Sequence, residues 1–235
     1  MKNYEEFKQH VIECYPQEAC GYLVDDTFIP IQNVSNDPAD SFEMSVEDSK
    51  MFADQDYAVI HSHTMKQHDF DFRTPSHADM IAQRNCEMPF GIVHCDGENV
   101  SDILWFGGDT PIPDLINRQY IPNVQDCFTL ARDYYRLNYN IDFGTHPRPA
   151  NWYEWNPHYI EHHFKDLGLI QIRPENLKVG DILLFNIASN YASHIGIVTG
   201  EDKFIHHLLN RTSAEDKISK WHRQFNKALR HKDLC

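Results

Sequence analysis

The chain has 235 residues, 41% hydrophobic and 24% charged, a balance that builds a folded protein and excludes a disordered one. No apolar run approaches the roughly 20 residues that span a bilayer, and Met1-Lys2-Asn3-Tyr4-Glu5-Glu6 lacks the apolar core of a secretory signal. Synthesis in a cytoplasm without membrane insertion is therefore expected. The net charge of −14 is uneven: residues 1–110 hold 21 acidic side chains against 6 basic ones, residues 111–235 hold 14 against 15. That asymmetry predicts two units and disfavours nucleic-acid binding.

In chain order, residues 4–15 read as a short amphipathic helix with Phe7, Val11 and Ile12 on one side. Residues 20–24 and 27–31 read as two strands joined by a turn at Asp25-Asp26. A buried strand at 57–60 runs straight into His61-Ser62-His63. A helix starts within 74–79, with Ser76 as cap and Asp79 three residues on, as in a capping box. Strands follow at 90–93 and 102–106. The Gly107-Gly108-Asp109-Thr110-Pro111-Ile112-Pro113 stretch is a break that coincides with the change in charge, and the domain boundary belongs there. Beyond it, a helix opens at Cys127 and a Pro- and Trp-containing stretch covers 146–157. Three short strands lie at 182–185, 194–198 and 203–206. The segment with Trp221, Arg223, Phe225 and Leu229 reads as a basic helix suited to docking.

Six scattered cysteines with no C-x-x-C pair argue against a disulfide framework or a thiolate zinc cluster. A single cysteine in a catalytic setting is the alternative. Cys127 follows Asp126 at a helix start, where the helix dipole and a neighbouring imidazole favour the thiolate. His194 starts an apolar strand and His206 ends the next, so an antiparallel pair turning at Gly200 sets two imidazoles side by side: a base, and a group to hold it in one tautomer. Asp126-Cys127, Gly180-Asp181-Ile182-Leu183-Leu184-Phe185, Ser193-His194-Ile195-Gly196-Ile197-Val198 and Phe204-Ile205-His206, in this order over about 115–210, resemble the NlpC/P60 family. The resemblance implies a papain-like fold and cleavage of peptide bonds in bacterial cell-wall stems, with Cys127 as nucleophile, His194 as base and His206 as orienting residue. His207 competes with His206 for that role, and strand alternation allows one of them to face the site. Tyr120 is a candidate for an oxyanion role that stays open.

In the first half, His61 and His63 alternate along a strand and share a face. Asp79, one turn into a helix, can complete three ligands around a catalytic zinc, and Glu18 can serve as the base for its water. Glu18 in Pro16-Gln17-Glu18-Ala19-Cys20-Gly21, His61-Ser62-His63 and Pro75-Ser76-His77-Ala78-Asp79 resemble the JAMM (MPN-like) metallopeptidase family. That resemblance implies Zn2+ on His61, His63 and Asp79, Glu18 as base and Ser76 steadying an oxyanion. The stretch Thr64–Pro75 is longer than the family's usual spacing, and its His68, Asp69 and Asp71 are competing ligands or part of a flap.

The expected architecture is α+β: an N-terminal JAMM (MPN-like) α/β domain over 1–110, then a C-terminal papain-like NlpC/P60 α+β domain over 111–235. This order of modules resembles tail-tip proteins of lambda-like siphophages. It implies a chain made in the host cytoplasm and carried in the virion tail tip, with peptidoglycan stem peptides as substrate and other phage tail-tip proteins as partners. The leading expectation is a cell-wall endopeptidase that opens the way for DNA. The alternatives are a zinc peptidase that processes a tail protein, and a structural plug with vestigial sites.

Overall fold

A computed structural model describes residues 1–52, 54–64, 73–148 and 158–235. The chain divides into two compact units, Met1–Pro111 and Ile112–Cys235.

In the first unit, α1 (Tyr4–Cys14) precedes the hairpin β1 (Cys20–Val24) and β2 (Thr27–Ile31). Asp25 and Asp26 both take positive φ, +47° and +65°, the backbone that a two-residue hairpin loop needs to match the strand twist. β3 (Ala58–His63), α2 (His77–Cys86), β4 (Phe90–His94) and β5 (Leu104–Phe106) follow, and the sheet order is β2-β1-β3-β4-β5. β3 and β4 pair in parallel, so the chain must cross over between them, and α2 lies in that crossover. Phe7 and Val11 of α1 are buried against Phe28, Ile60 and Val93, with the Phe7 and Phe28 rings 4.8 Å apart edge to face. Burial of each such side chain contributes roughly 1.5–3 kcal/mol. Ile12, the third apolar residue of α1, packs at the margin of this core.

The second unit opens with α3 (Cys127–Tyr139) and contains β6 (Leu169–Ile172), β7 (Ile182–Phe185), β8 (His194–Gly200), β9 (Lys203–His206), β10 (Ala214–Lys217) and β11 (Phe225–His231). The sheet order is β10-β9-β8-β7-β11-β6 and every pairing is antiparallel. Leu130, Ala131, Tyr134 and Tyr135 of α3 pack on Ile182, Leu184, Ile195 and Ile197. The opposite face collects Leu183, Phe185, Val198, Phe204 and Ala228, with Trp221 and Phe225 at its margin. β7 is buried at all four positions because both faces of the sheet are covered there, which is why it reads as a continuous apolar run.

The segment expected to form a basic docking helix does otherwise. Ile218–Trp221 is a short 3-10 turn and Phe225–His231 is strand β11, hydrogen-bonded on both sides between β7 and β6. Ala228 and Leu229 are fully buried, so Leu229 belongs to the core and presents no docking surface. Arg230 explains part of the basic character: its guanidinium donates to both carboxylate oxygens of Asp181, at 2.7 and 2.8 Å, and ties β11 to the turn that leads into β7. No helix among the described residues is long and apolar enough to cross a membrane.

Candidate active sites

The second unit builds its site around the start of α3. Asp126 caps the helix, its carboxylate accepting from the amides of Phe128 (3.0 Å) and Thr129 (2.9 Å), while Thr129 Oγ1 accepts from the Asp126 amide (2.7 Å). This is a reciprocal capping box that fixes Cys127 as the first helical residue. Behind it, Asp126 is paired with Arg148 in a buried ion pair and accepts from the Asn123 amide (2.9 Å). Asn123 and Arg148 in turn exchange two hydrogen bonds of 2.7 and 3.0 Å, and the guanidinium lies 4.9 Å over the Phe128 ring.

His194 is the first residue of β8 and His206 the last of β9. The β8–β9 pairing sets Gly196 opposite His206, and the hairpin brings His194 Nε2 to 3.0 Å from His206 Nδ1, the rings nearly perpendicular at 71°. Both imidazoles are buried. The Cys127 sulfur faces the backbone amides of Ile195, next to His194, and of Phe128. α3 packs on β8, so the Cys127 sulfur lies one residue along the strand from His194, the partner of His206. His207 points elsewhere: its Nε2 lies 3.1 Å from the Arg211 carbonyl, and its ring packs edge to face on Tyr120 at 5.2 Å. Tyr120 is therefore seated beside His207.

The electrostatics differ from the expectation of a thiolate favoured by the helix dipole. Burial and then the Asp126 carboxylate push the Cys127 thiol up to about 12, outweighing Arg148 and the two amides that act the other way. Burial, with His206 and His207 nearby, lowers His194 to about 3. Burial lowers His206 to about 4, against the opposing pull of Asp216. At neutral pH the resting groups are a thiol and two neutral imidazoles. Here desolvation outweighs the dipole.

In the first unit, β1 and β3 pair with Cys20 opposite His61. Ala19 and Ser62 continue that register, the Ala19 amide donating to Ser62 Oγ and the Ser62 amide to the Ala19 carbonyl, both at 2.9 Å. Glu18, just before β1, is near enough to His63 and Asp79 for both to act on its carboxyl. Asp79 arrives from α2, where Ser76 is the cap: Ser76 Oγ accepts from the Asp79 amide (3.1 Å), and the Ser76 amide donates to Asp79 Oδ2 (2.7 Å). His61 Nε2 lies 3.2 Å from His63 Nε2 and 3.4 Å from Asp79 Oδ1, and His63 Nε2 lies 3.4 Å from Asp79 Oδ2. Zinc bonds of about 2.1 Å in a tetrahedron set ligand atoms about 3.4 Å apart. Two imidazole nitrogens and a carboxylate whose ligand atoms lie within 4.8 Å of one another are the donor types and closeness that the ion takes, so this donor set fits it.

Burial would raise Asp79, but His61 and His63 hold its carboxyl well below the usual range. Burial lowers His61, keeping it neutral and fit to ligate. Glu18 is pushed up to about 8 by burial, with Asp79 and Asp40 adding to the effect and His63 opposing it. The Phe42 ring covers His61 at 4.4 Å. His68, Asp69 and Asp71 lie outside the described residues.

Of the residues expected from the sequence, Glu18, His61, His63, Ser76 and Asp79 gather in the first unit, while in the second His194 and His206 pair and Cys127 lies beside Ile195, the neighbour of His194. Sequence reasoning missed Asn123, Arg148, Asp216, Phe42 and Asp40. The spacing of Asn123 and Asp126, three apart before a helix, carries a weak turn signal. Arg148 in Pro147-Arg148-Pro149 carries none.

The NlpC/P60 family model matches residues 105–230. Two relatives are each named tail tip assembly protein K. That of Escherichia phage lambda is 28% identical over 122 residues, which take in 52% of this chain and 61% of the lambda protein. That of Escherichia phage N15 is 24% identical over 99% of this chain and 96% of its own. Among solved structures, the NlpC/p60 domain of peptidoglycan hydrolase SagA is 19% identical, covering 49% of this chain and 89% of its own, with a TM-score of 0.34. With more than half of its length matched by the family model, the chain belongs to the NlpC/P60 family.

Proposed function

We propose that the second unit is a cysteine endopeptidase that cleaves peptidoglycan stem peptides, carried in a phage tail tip to open the wall for passage of DNA. The observation that carries this reading is the 3.0 Å contact between His194 and His206 beside the helix start that holds Cys127. With His206 Nδ1 accepting, His194 carries its proton on Nε2 and leaves Nδ1 bare as the base. Because neither ion is favoured at rest, the thiol proton passes to His194 as the sulfur attacks the stem-peptide carbonyl. The Cys127 backbone N–H stabilises the oxyanion, since the next two amides of α3 are taken by Asp126. His194 then returns its proton to the leaving amine, and water releases the acyl-enzyme. Family membership supports the substrate class. The name shared by the lambda and N15 relatives supports a tail-tip location, with other tail-tip proteins as partners, assembly in the host cytoplasm and action at the host wall.

A second reading is favoured by the close cluster of two imidazoles and a carboxylate in the first unit, which supports a JAMM-type zinc site on His61, His63 and Asp79 that processes a tail protein during assembly. A bound Zn2+ would supply a Lewis acid and an activated water. With the charge of the ion drawing the Glu18 carboxyl back down, Glu18 would take the proton from that water, and Ser76, whose oxygen already accepts the Asp79 amide, keeps its own proton to donate to an oxyanion.

The test is digestion of purified Gram-negative peptidoglycan with mass analysis of the fragments, comparing the unaltered chain, Cys127→Ala and Glu18→Ala. Loss of stem-peptide cleavage in Cys127→Ala alone is the expected result. Full cleavage by that variant overturns the cysteine mechanism, and loss in Glu18→Ala alone transfers the cutting to the metal site. A chain that cuts nothing, free or in the assembled tail, leaves the structural plug.

A further inference from the structure

The wall behind the two imidazoles is an aromatic ring with a carboxylate attached. Ile218–Trp221 follows β10 directly and brings Trp221 against the histidines. The indole is 4.9 Å from the His206 ring and perpendicular to it at 81°, and 6.2 Å from the His194 ring and nearly parallel to it at 28°. Phe185 at 5.4 Å and Phe204 at 5.8 Å close the pocket around it. The indole N–H donates to Asp216 Oδ2 at 2.9 Å. Strand register explains the placement: Asp216 pairs with Phe204 and Ala214 with His206, so Asp216 lies on the face of the sheet that carries Phe204 and His206. The other carboxylate oxygen accepts from the Lys217 amide at 2.8 Å and faces Lys220 at 3.4 Å.

We propose that Trp221 and Asp216 form a positioning unit for the cysteine reaction: Trp221 fixes the orientation of His194 and His206, and Asp216, held by the indole N–H, stabilises the positive charge that the imidazole pair takes up when Cys127 gives its proton to His194. The proposal rests on the cysteine-peptidase reading above. A proton taken from the thiol creates an imidazolium in a site that penalises it. An indole face attracts such a cation, and a fixed carboxylate acts strongly where water is excluded. The charged and titratable groups that face the pair come from each neighbouring element. His207, just past the end of β9, and Arg211 beyond it disfavour the protonated form of His206, and Asp216 on β10 favours it. Lys220 beside Asp216 takes up part of that field, Cys127 lies on α3, and β7 contributes the uncharged Phe185.

The experiment compares the full chain with Trp221→Phe, Trp221→Ala and Asp216→Asn. It measures kcat and KM on a stem peptide, the pH profile of kcat, and the rate of iodoacetamide alkylation of Cys127 against the exposed Cys235 as internal reference. Asp216→Asn and Trp221→Phe each lower kcat about tenfold, the equivalent of one pKa unit of lost imidazolium stabilisation. They leave KM unchanged, slow Cys127 alkylation by a similar factor and leave Cys235 untouched. Trp221→Ala loses more, and Trp221→Phe recovers part of it. If Asp216→Asn and Trp221→Phe keep the kcat, pH profile and alkylation ratio of the unaltered chain, the unit is only a packing wall and the proposal is overturned. If Trp221→Ala fails to fold, the two conservative variants decide. If the unaltered chain hydrolyses no stem peptide, the peptidase reading fails by itself, while the alkylation ratio still judges the positioning unit.

Discussion

Replacing Asp126 by Asn should make the second unit less stable and its cysteine more reactive. Asn keeps a carbonyl oxygen that can accept the Phe128 and Thr129 amides, so most of the helix cap survives. What it removes is the charge opposite Arg148, in a pair whose members are both buried. Breaking a buried ion pair from one side costs about 3–5 kcal/mol, because the remaining charge is left without a partner. At about 4 °C per kcal/mol for a unit of this size, the melting temperature falls by about 12–20 °C. Arg148→Met alone should cost a comparable amount, and the double variant much less than the sum, with a coupling of at least about 2 kcal/mol. The pH dependence has a definite sign. Burial would raise the Asp126 carboxyl, but Arg148 and the Thr129 and Asn123 amides hold it below the ordinary carboxylate range. Its contribution is therefore present above the unfolded value of about 4 and is lost as pH falls through the lower folded value. Urea unfolding followed by circular dichroism at pH 7 and across the acid range measures both effects. Meanwhile the thiol, which Asp126 pushes up, should alkylate faster in Asp126→Asn. A loss below about 1 kcal/mol, or additivity in the double variant, would refute the reasoning.

Three other outcomes follow from the geometry. Dialysis against zinc should leave one ion per chain and raise the melting temperature of the first unit, by about 2.7 kcal/mol of stability at a hundred times the dissociation constant; His63→Ala, which spares the Ser76–Asp79 cap, should abolish both by metal analysis and thermal melting. Gly196→Ala places a Cβ 2.4 Å from the Phe204 ring in the strand that holds His206, and should cost about 1–3 kcal/mol in unfolding experiments, with a fall in kcat as His206 is displaced. His206→Ala should lower kcat about 100-fold by freeing the His194 tautomer, and His206→Asn, whose amide oxygen can accept from Nε2, should recover part of it in the same assay.

The legible part of this chain is the part where local chemistry and long-range pairing ask for the same residues. Asp25-Asp26 announces a hairpin because only a few residue types take positive φ, and both do here. The break at 107–113 lies where the two units divide. His194 and His206 are readable because an apolar strand, a turn at Gly200 and a second apolar strand dictate the register between them. The illegible parts have physical causes. β10, with the sequence Ala-Glu-Asp-Lys, is an edge strand and has no apolar face to alternate. β11 mixes Lys227, Arg230 and His231 with Ala228 and Leu229, so its period resembles a basic helix until Asp181 is seen to neutralise Arg230. The high thiol value at Cys127 comes from burial and a buried carboxylate, neither of which a motif records.

Both sites share a device that explains why their residues looked first like structural punctuation. A capping box opens α2 through Ser76 and Asp79, and another opens α3 through Asp126 and Thr129. In each, a carboxylate that satisfies helix amides also faces the chemistry. Asp79 accepts from the Ser76 amide while lying 3.4 Å from each of two histidines, and Asp126 accepts from two amides while its charge acts on the adjacent thiol. A helix start is the one place in an α-helix where backbone donors are free, so a side chain anchored there is fixed in direction without a rotamer of its own to lose. The consequence is that stability and chemistry cannot be separated by substituting the carboxylate alone. Stability and function must move together in any variant of Asp79 or Asp126, whereas variants of His63 and His206, which cap nothing, should separate them.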